Sequence, residues 1–343
     1  MRDPQSQPAT LPRFSTRVGG AWLVALGLLG AGFLACHPRQ PKTPDWVATA
    51  PASTVMAVSG TAGWILEQPN FQTFLERFPM AEQTLDLFLK RAHINPHQET
   101  GRISFFLLNL PVKDGAGAKP DPADFLLQLG GFKDPAALQM ALADAFPTEG
   151  SLPINGREWP LFVLLDINQY HIRAVSDHEG RIWLGELGAL TRLGSGRMPA
   201  RNPVARSAEW INGGAPFQGY LRPQGLLEGV AAHLPGDLAR NLPQGIEALA
   251  WSVTPGQGQE LHRFELAISG SREGILQVAP WLQRFVAAAT ALPGAAGRPP
   301  EILQENGRIG LRAQLTPEQV NTALAKLNQP GIRFGPQSKA GRK

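Results

Sequence analysis

The sequence predicts an α+β fold. It reads as two related lobes of β-α-β-β-α-β, ferredoxin-like order, with antiparallel sheets covered by helices and an internal duplication. Three observations carry this. Apolar or alternating runs, such as residues 103–110 (ISFFLLNL) and Phe217–Leu221, have strand character. Segments of helical spacing lie between them. The pattern then restarts: Phe125-x-Leu127-x-Leu129-x-Gly131-x-Lys133-Asp134 parallels Phe264-x-Leu266-x-Ile268-x-Gly270-x-Arg272-Glu273. Gly180-Arg181-Ile182-Trp183-Leu184 likewise parallels Gly307-Arg308-Ile309-Gly310-Leu311. The pattern leaves open whether the two sheets are continuous or packed together.

Taken in order, Thr54–Val58 is the first strand. Residues 63–89 carry Trp64, Ile65, Phe71, Phe74, Leu85 and Phe88 at helical spacings, interrupted at Pro69 and Pro79. Strands follow at 103–110 and 125–129. Asp134-Pro135 opens a helix to about Phe146, with Asp as N-cap and Pro in the first turn. Strands at 161–165, 171–175 and 181–184 lead to a short helix at 188–193. After an irregular stretch come a strand at 217–221 and broken helix at 224–240. Leu249, Trp251 and Val253 alternate, as do Phe264, Leu266 and Ile268, which marks a hairpin. A helix from about Ser271 to Leu292 and a strand from Arg308 to Gln314 come next. Thr316-Pro317-Glu318 starts the last helix.

The N-terminus has its own logic. Arg2, Arg13 and Arg17 precede an uncharged, mostly apolar run from Val18 that closes with Phe33-Leu34-Ala35-Cys36, the only cysteine of the chain. This segment resembles the signal peptide of bacterial lipoproteins. The resemblance implies that Cys36 is acylated and becomes the mature N-terminus, facing the periplasm. His37 after it implies the outer membrane over the inner one. The alternatives are an uncleaved transmembrane anchor over residues 18–35 and a buried core helix. The expected division is therefore signal peptide 1–35, Pro-rich tether 36–53, first lobe 54–193, basic linker 194–214, second lobe 215–329 and disordered basic tail 330–343.

The 343 residues carry a formal net charge of +4. Three arginines and one aspartate of residues 1–35, with Arg333, Lys339, Arg342 and Lys343 in the tail, account for the excess. That distribution argues against nucleic-acid binding, which needs a basic stripe on a folded face.

Motifs for chemistry are sparse. His93 and His97 have the four-residue spacing of metal ligands, but Asn95-Pro96 breaks the helix between them. His171 and His178, with Asp177 and Glu179, read as a hydrated hairpin tip. Gly60-Thr61-Ala62-Gly63 lacks the Lys-Ser/Thr ending of a phosphate loop, and no G-x-S-x-G elbow is present. Arg197, Arg201 and Arg206 in the linker are candidates for an anion-facing surface, against the plainer reading of a solvated linker. Trp183, Trp251 and Trp281 read as core. The sequence indicates no catalytic residue, no metal site and no cofactor. The expectation is a lipid-anchored cell-envelope protein with a non-catalytic binding or assembly role. Its partners are the membrane, through the lipid, and an envelope protein or lipid. The alternative is an envelope hydrolase with its site between the lobes.

Overall fold

The computed structural model describes residues 49–66, 79–95, 101–108, 125–132, 134–167, 170–177, 179–194, 207–223, 245–255, 261–291, 300–316 and 319. In chain order these form β1 (Thr54–Thr61), α1 (Ala62–Ile65), α2 (Pro79–Arg91), β2 (Arg102–Leu108), β3 (Phe125–Gly130) and α3 (Pro135–Ala145). Next come β4 (Thr148–Ile154), β5 (Arg157–Ile167), β6 (Tyr170–Ser176), β7 (Ile182–Glu186) and α4 (Leu187–Leu190). The second half supplies β8 (Phe217–Leu221), β9 (Ile246–Thr254), β10 (His262–Gly270), α5 (Arg272–Thr290), β11 (Glu301–Glu305) and β12 (Arg308–Leu315).

All twelve strands join one sheet in the order β11-β12-β10-β9-β8-β1-β2-β3-β7-β6-β5-β4, and every pairing is antiparallel. This corrects the expected pair of ferredoxin-like lobes. In a split β-α-β lobe, helix-connected strands run parallel with a third strand between them. Here β1 and β2, with α1 and α2 between them in the chain, are direct antiparallel neighbours. The two halves share one continuous sheet, the point the sequence left open, because β1 and β8 pair from Met56↔Leu221 to Gly60↔Phe217. Both strands are almost wholly buried, so neither could end a sheet without exposing an apolar edge.

The two sequence motifs do hold like registers. Leu127 faces Leu184 and Leu129 faces Ile182, while Leu266 faces Leu311 and Ile268 faces Ile309. The likeness stops there. Gly131 sits at φ 67° and Gly270 is not at positive φ, and the first half carries the extra hairpin β4–β5. The duplicated-lobe architecture therefore does not describe this chain.

One face of the sheet is largely apolar. Ile103, Phe105, Leu127, Ile182, Trp251, Phe264, Leu266 and Ile309 pack there under Leu85 and Phe88 of α2, Leu138 and Leu142 of α3, and Ile275, Leu282 and Phe285 of α5. Side chains alternate across a strand, so residues between these point to the second face. The helices start as their sequences dictate. Asp134 accepts from the Ala137 amide at 2.9 Å, ahead of Pro135, and Ser271 accepts from Gly274 at 3.1 Å. Thr316 and Gln319 bond reciprocally, side chain to backbone, as a capping box. Gly219 has no Cβ because the Trp251 indole lies across it; an added Cβ would stand 2.1 Å from the ring.

Candidate functional site

The second face carries the buried polar side chains, and they form a row. Register places Glu265 of β10 opposite Arg312 of β12 on one side and Ser252 of β9 on the other. Ser252 faces Gln218 of β8, which faces Ser59 of β1. Ser59 faces Ser104 of β2, and Ser104 faces Gln128 of β3. From Glu265 to Gln128 each member is at most 5% exposed. Buried polar groups are costly unless they are hydrogen-bonded, so their partners define what the row does.

Two chain segments lie over this face and supply those partners. Residues 207–216 form one strap. Glu265 Oε2 accepts from the Asn212 amide and from Ser252 Oγ, the latter at 2.8 Å. Gln218 Nε2 donates to the carbonyls of Gly213 at 2.7 Å and Ala215 at 2.8 Å. Ser207 Oγ donates to Ser269 Oγ at 2.8 Å, and Asn212 Nδ2 donates to Thr254 at 3.1 Å. Small residues make room beside the row: Ala57, Ala250, Ala267 and Gly310 lie on the same face, and the Trp210 ring rests on Gly310. Residues 49–53 form the other strap. Gln128 donates to Thr49 Oγ1 at 3.2 Å, Arg222 donates to the Ala52 carbonyl at 3.3 Å, and Ala50 is fully buried. Strap peptide groups thus satisfy Glu265 and Gln218, and a strap hydroxyl meets Gln128.

Charges on this face are mostly paired. Glu265 Oε1 lies 2.8 Å from Arg263 Nη2 and 3.7 Å from Arg312 Nε. Arg308 pairs with Glu209 at 3.1 Å and sits over the Trp210 ring. Arg102 differs. Its Nη1 donates to Ser59 Oγ at 3.1 Å and its Nη2 to the Ala215 carbonyl at 2.9 Å. Burial lowers its pKa.

A second cluster lies near the β4 edge. Arg173 on β6 is buried and donates to Glu149 on β4 and, at 2.6 Å, to Asp166 on β5. His171 Nδ1 lies 2.9 Å from the same Asp166 oxygen. The Arg173 hydrogen bond, then the His171 one, holds the Asp166 carboxyl below its usual range. Burial alone would lower the Arg173 pKa, but Glu149 and Asp166 raise it.

Cys36, Arg197, Arg201 and Arg206 lie outside the described residues, as do His97, His178, His233 and the expected helix at 224–240. His93 occupies a left-handed turn at φ 51° after α2. His171 faces Asp166 rather than water alone. In Gly60–Gly63, the Thr61 and Ala62 amides donate to the Pro216 and Gly101 carbonyls. Trp183, Trp251 and Trp281 are buried, as expected. Sequence reasoning missed the polar row. Its signal was present in part: Gln128 is the one polar residue of β3, and Ser252 and Glu265 interrupt the apolar stretches of β9 and β10. Among the described residues no group of His, Cys, Asp and Glu is arranged to hold a metal ion, and no helix is long and apolar enough to cross a membrane.

No protein-family model matches this sequence, and no curated protein and no solved structure shows significant similarity to it.

Proposed function

We propose that this chain is a lipid-anchored cell-envelope protein with a non-catalytic binding or assembly role, facing the periplasm and attached by Cys36. The observation that carries the reading is the apolar run that ends in the sole cysteine. The fold is compatible with a tethered body. Residues 49–53, fastened to the sheet by Gln128 and Arg222, begin thirteen residues after Cys36. Thirteen residues span at most about 45 Å, so the sheet would work close to the bilayer. Two acyl chains are enough for durable anchoring. The use of the buried row to hold the two straps favours a structural or binding role over catalysis. An envelope protein or lipid is the partner class, and His37 directs the anchor to the outer membrane.

One observation favours the alternative, an envelope hydrolase. A histidine held by a carboxylate, as His171 is by Asp166, is two parts of a nucleophilic triad. Arg173 shares that carboxylate, however, and both His171 and Asp166 are about half exposed. This leaves the imidazole in a hydrated setting unlike the water-excluded sites in which such dyads work.

Fractionation tests the proposal. The wild type is expected in the membrane fraction, and Cys36→Ala is expected to leave it or to accumulate uncleaved. A His171→Ala/Asp166→Ala chain is expected to complement a deletion strain fully. Loss of complementation with retained folding would favour the hydrolase.

A further inference from the structure

Arginines on the second face usually come with acids. Arg173 has Glu149 and Asp166, Arg181 has Asp177 and Glu179, Arg263 and Arg312 share Glu265, and Arg308 has Glu209. Arg102 has no carboxylate within ion-pair distance among the described residues, and neither has Arg222, which donates to the Ala52 carbonyl. Its two hydrogen bonds go to neutral oxygens, Ser59 Oγ and the Ala215 carbonyl. It is only partly exposed, and burial is the cause that shifts its titration. Burying a guanidinium without a counter-charge costs free energy that neutral acceptors only partly offset.

The position matters as much as the charge. Arg102 opens β2, opposite Thr61 on β1 and Gly130 on β3. Gly130 offers no Cβ, and the Arg181 stem fills that side, where an added Cβ would meet it at 3.1 Å. Arg181 is already committed to Asp177 and Glu179. On the other side the guanidinium reaches the end of the strap at Ala215. It therefore bridges the first half of the sheet to a strap from the second half, next to the Ser59–Ser104 pair, whose hydroxyls are 2.7 Å apart. A guanidinium carries five N–H donors, more than these two acceptors consume.

We propose that Arg102 is the cationic centre of an oxyanion site, taking a phosphate or carboxylate group at the seam between the sheet halves. The group accepts from the remaining guanidinium N–H donors and supplies a counter-charge that the described residues do not. Bound there, it locks the 207–216 strap to β2 and so stabilises the folded state by linkage. The site does not depend on acylation of Cys36; loss of anion binding would leave that reading untouched.

Isothermal titration of the full-length protein in detergent tests this. Inorganic phosphate and acetate are the two probes, with sodium chloride at matched ionic strength as the control. Saturable binding of one equivalent of phosphate identifies a phosphate site, and of acetate a carboxylate site. Arg102→Gln is expected to weaken binding by about tenfold or more, the loss of one charge-assisted hydrogen-bonding group, whereas Arg222→Gln leaves it intact. If Arg102→Gln does not fold, phenylglyoxal modification of the wild type decides. The bound anion should slow modification of Arg102 several-fold relative to Arg222. Heat no different from chloride for both anions, undiminished binding in a folded Arg102→Gln chain, or equal protection of the two arginines would overturn the proposal.

Discussion

Ser59 and Gln218 face each other in register across β1 and β8, at the seam between the two halves of the sheet, and both are fully buried. The pair fixes how the halves meet. A one-residue slip of β8 against β1 would turn Gln218 into the apolar core and Phe217 out of it. In register, Ser59 finds Ser104 and Arg102, and Gln218 finds two strap carbonyls. The polar row thus specifies one pairing of two strands that are 156 residues or more apart in sequence.

Glu265 should be the costliest member of the row to remove. Its carboxylate takes the Ser252 hydroxyl, the Asn212 amide and two guanidinium groups. Glu265→Ala leaves buried donors without an acceptor and is expected to destabilise the fold by about 3–5 kcal/mol. Urea denaturation measures this. Hydrogen exchange should show faster opening of residues 207–216 than of residues 49–53, which Glu265 does not contact. Equal acceleration in both straps would count against strap anchoring as its role.

Gly219→Ala should be poorly tolerated, since the new methyl would lie 2.1 Å from the Trp251 ring, within the packed helical face. Overpacking of this kind costs about 1–3 kcal/mol or more. Gly188→Ala, where nothing lies within 4 Å, is the matched control and should be near neutral. Thermal denaturation of the two variants makes the comparison.

The His262 imidazole on β10 is half-buried, and burial lowers its pKa from 6.5 to about 4. The folded chain holds it neutral while the unfolded chain protonates near its ordinary value. Its contribution to stability is therefore complete above pH 6.5 and is lost as the pH falls from there toward 4. A His262→Gln chain should show a flatter stability profile across that window in urea titrations at stepped pH. An unchanged slope would contradict the desolvated imidazole.

Several elements were legible, though the fold class was not. Phe217–Leu221 is a strand with the expected bounds, the β9–β10 alternation is the hairpin found, and Asp134-Pro135 caps α3 as read. Two strands were missed for a shared reason. β4 (TEGSLPI) and β11 (EILQE) are the sheet edges, largely exposed, so they carry little apolar alternation. The β4–β5 turn nevertheless had a signal. Asn155-Gly156 sits at φ 52° and 74°, the pattern of a two-residue type I′ hairpin. The sheet topology was beyond local reading. Which strands become neighbours depends on distant pairings such as Ser59 with Gln218, and the helix-strand string is the same for parallel and antiparallel neighbours. The polar row was hidden for the same reason, because its members are spread over strands that only register brings together.

Cleavage before Cys36 and its acylation test the central functional claim most directly. Mass spectrometry of the N-terminal peptide of the protein, purified from native membranes, is the measurement. The account predicts a peptide that begins at Cys36 and carries a diacylglycerol thioether on Sγ. A mature peptide that retains residues before Cys36, or one that begins at an unmodified Cys36, would contradict it.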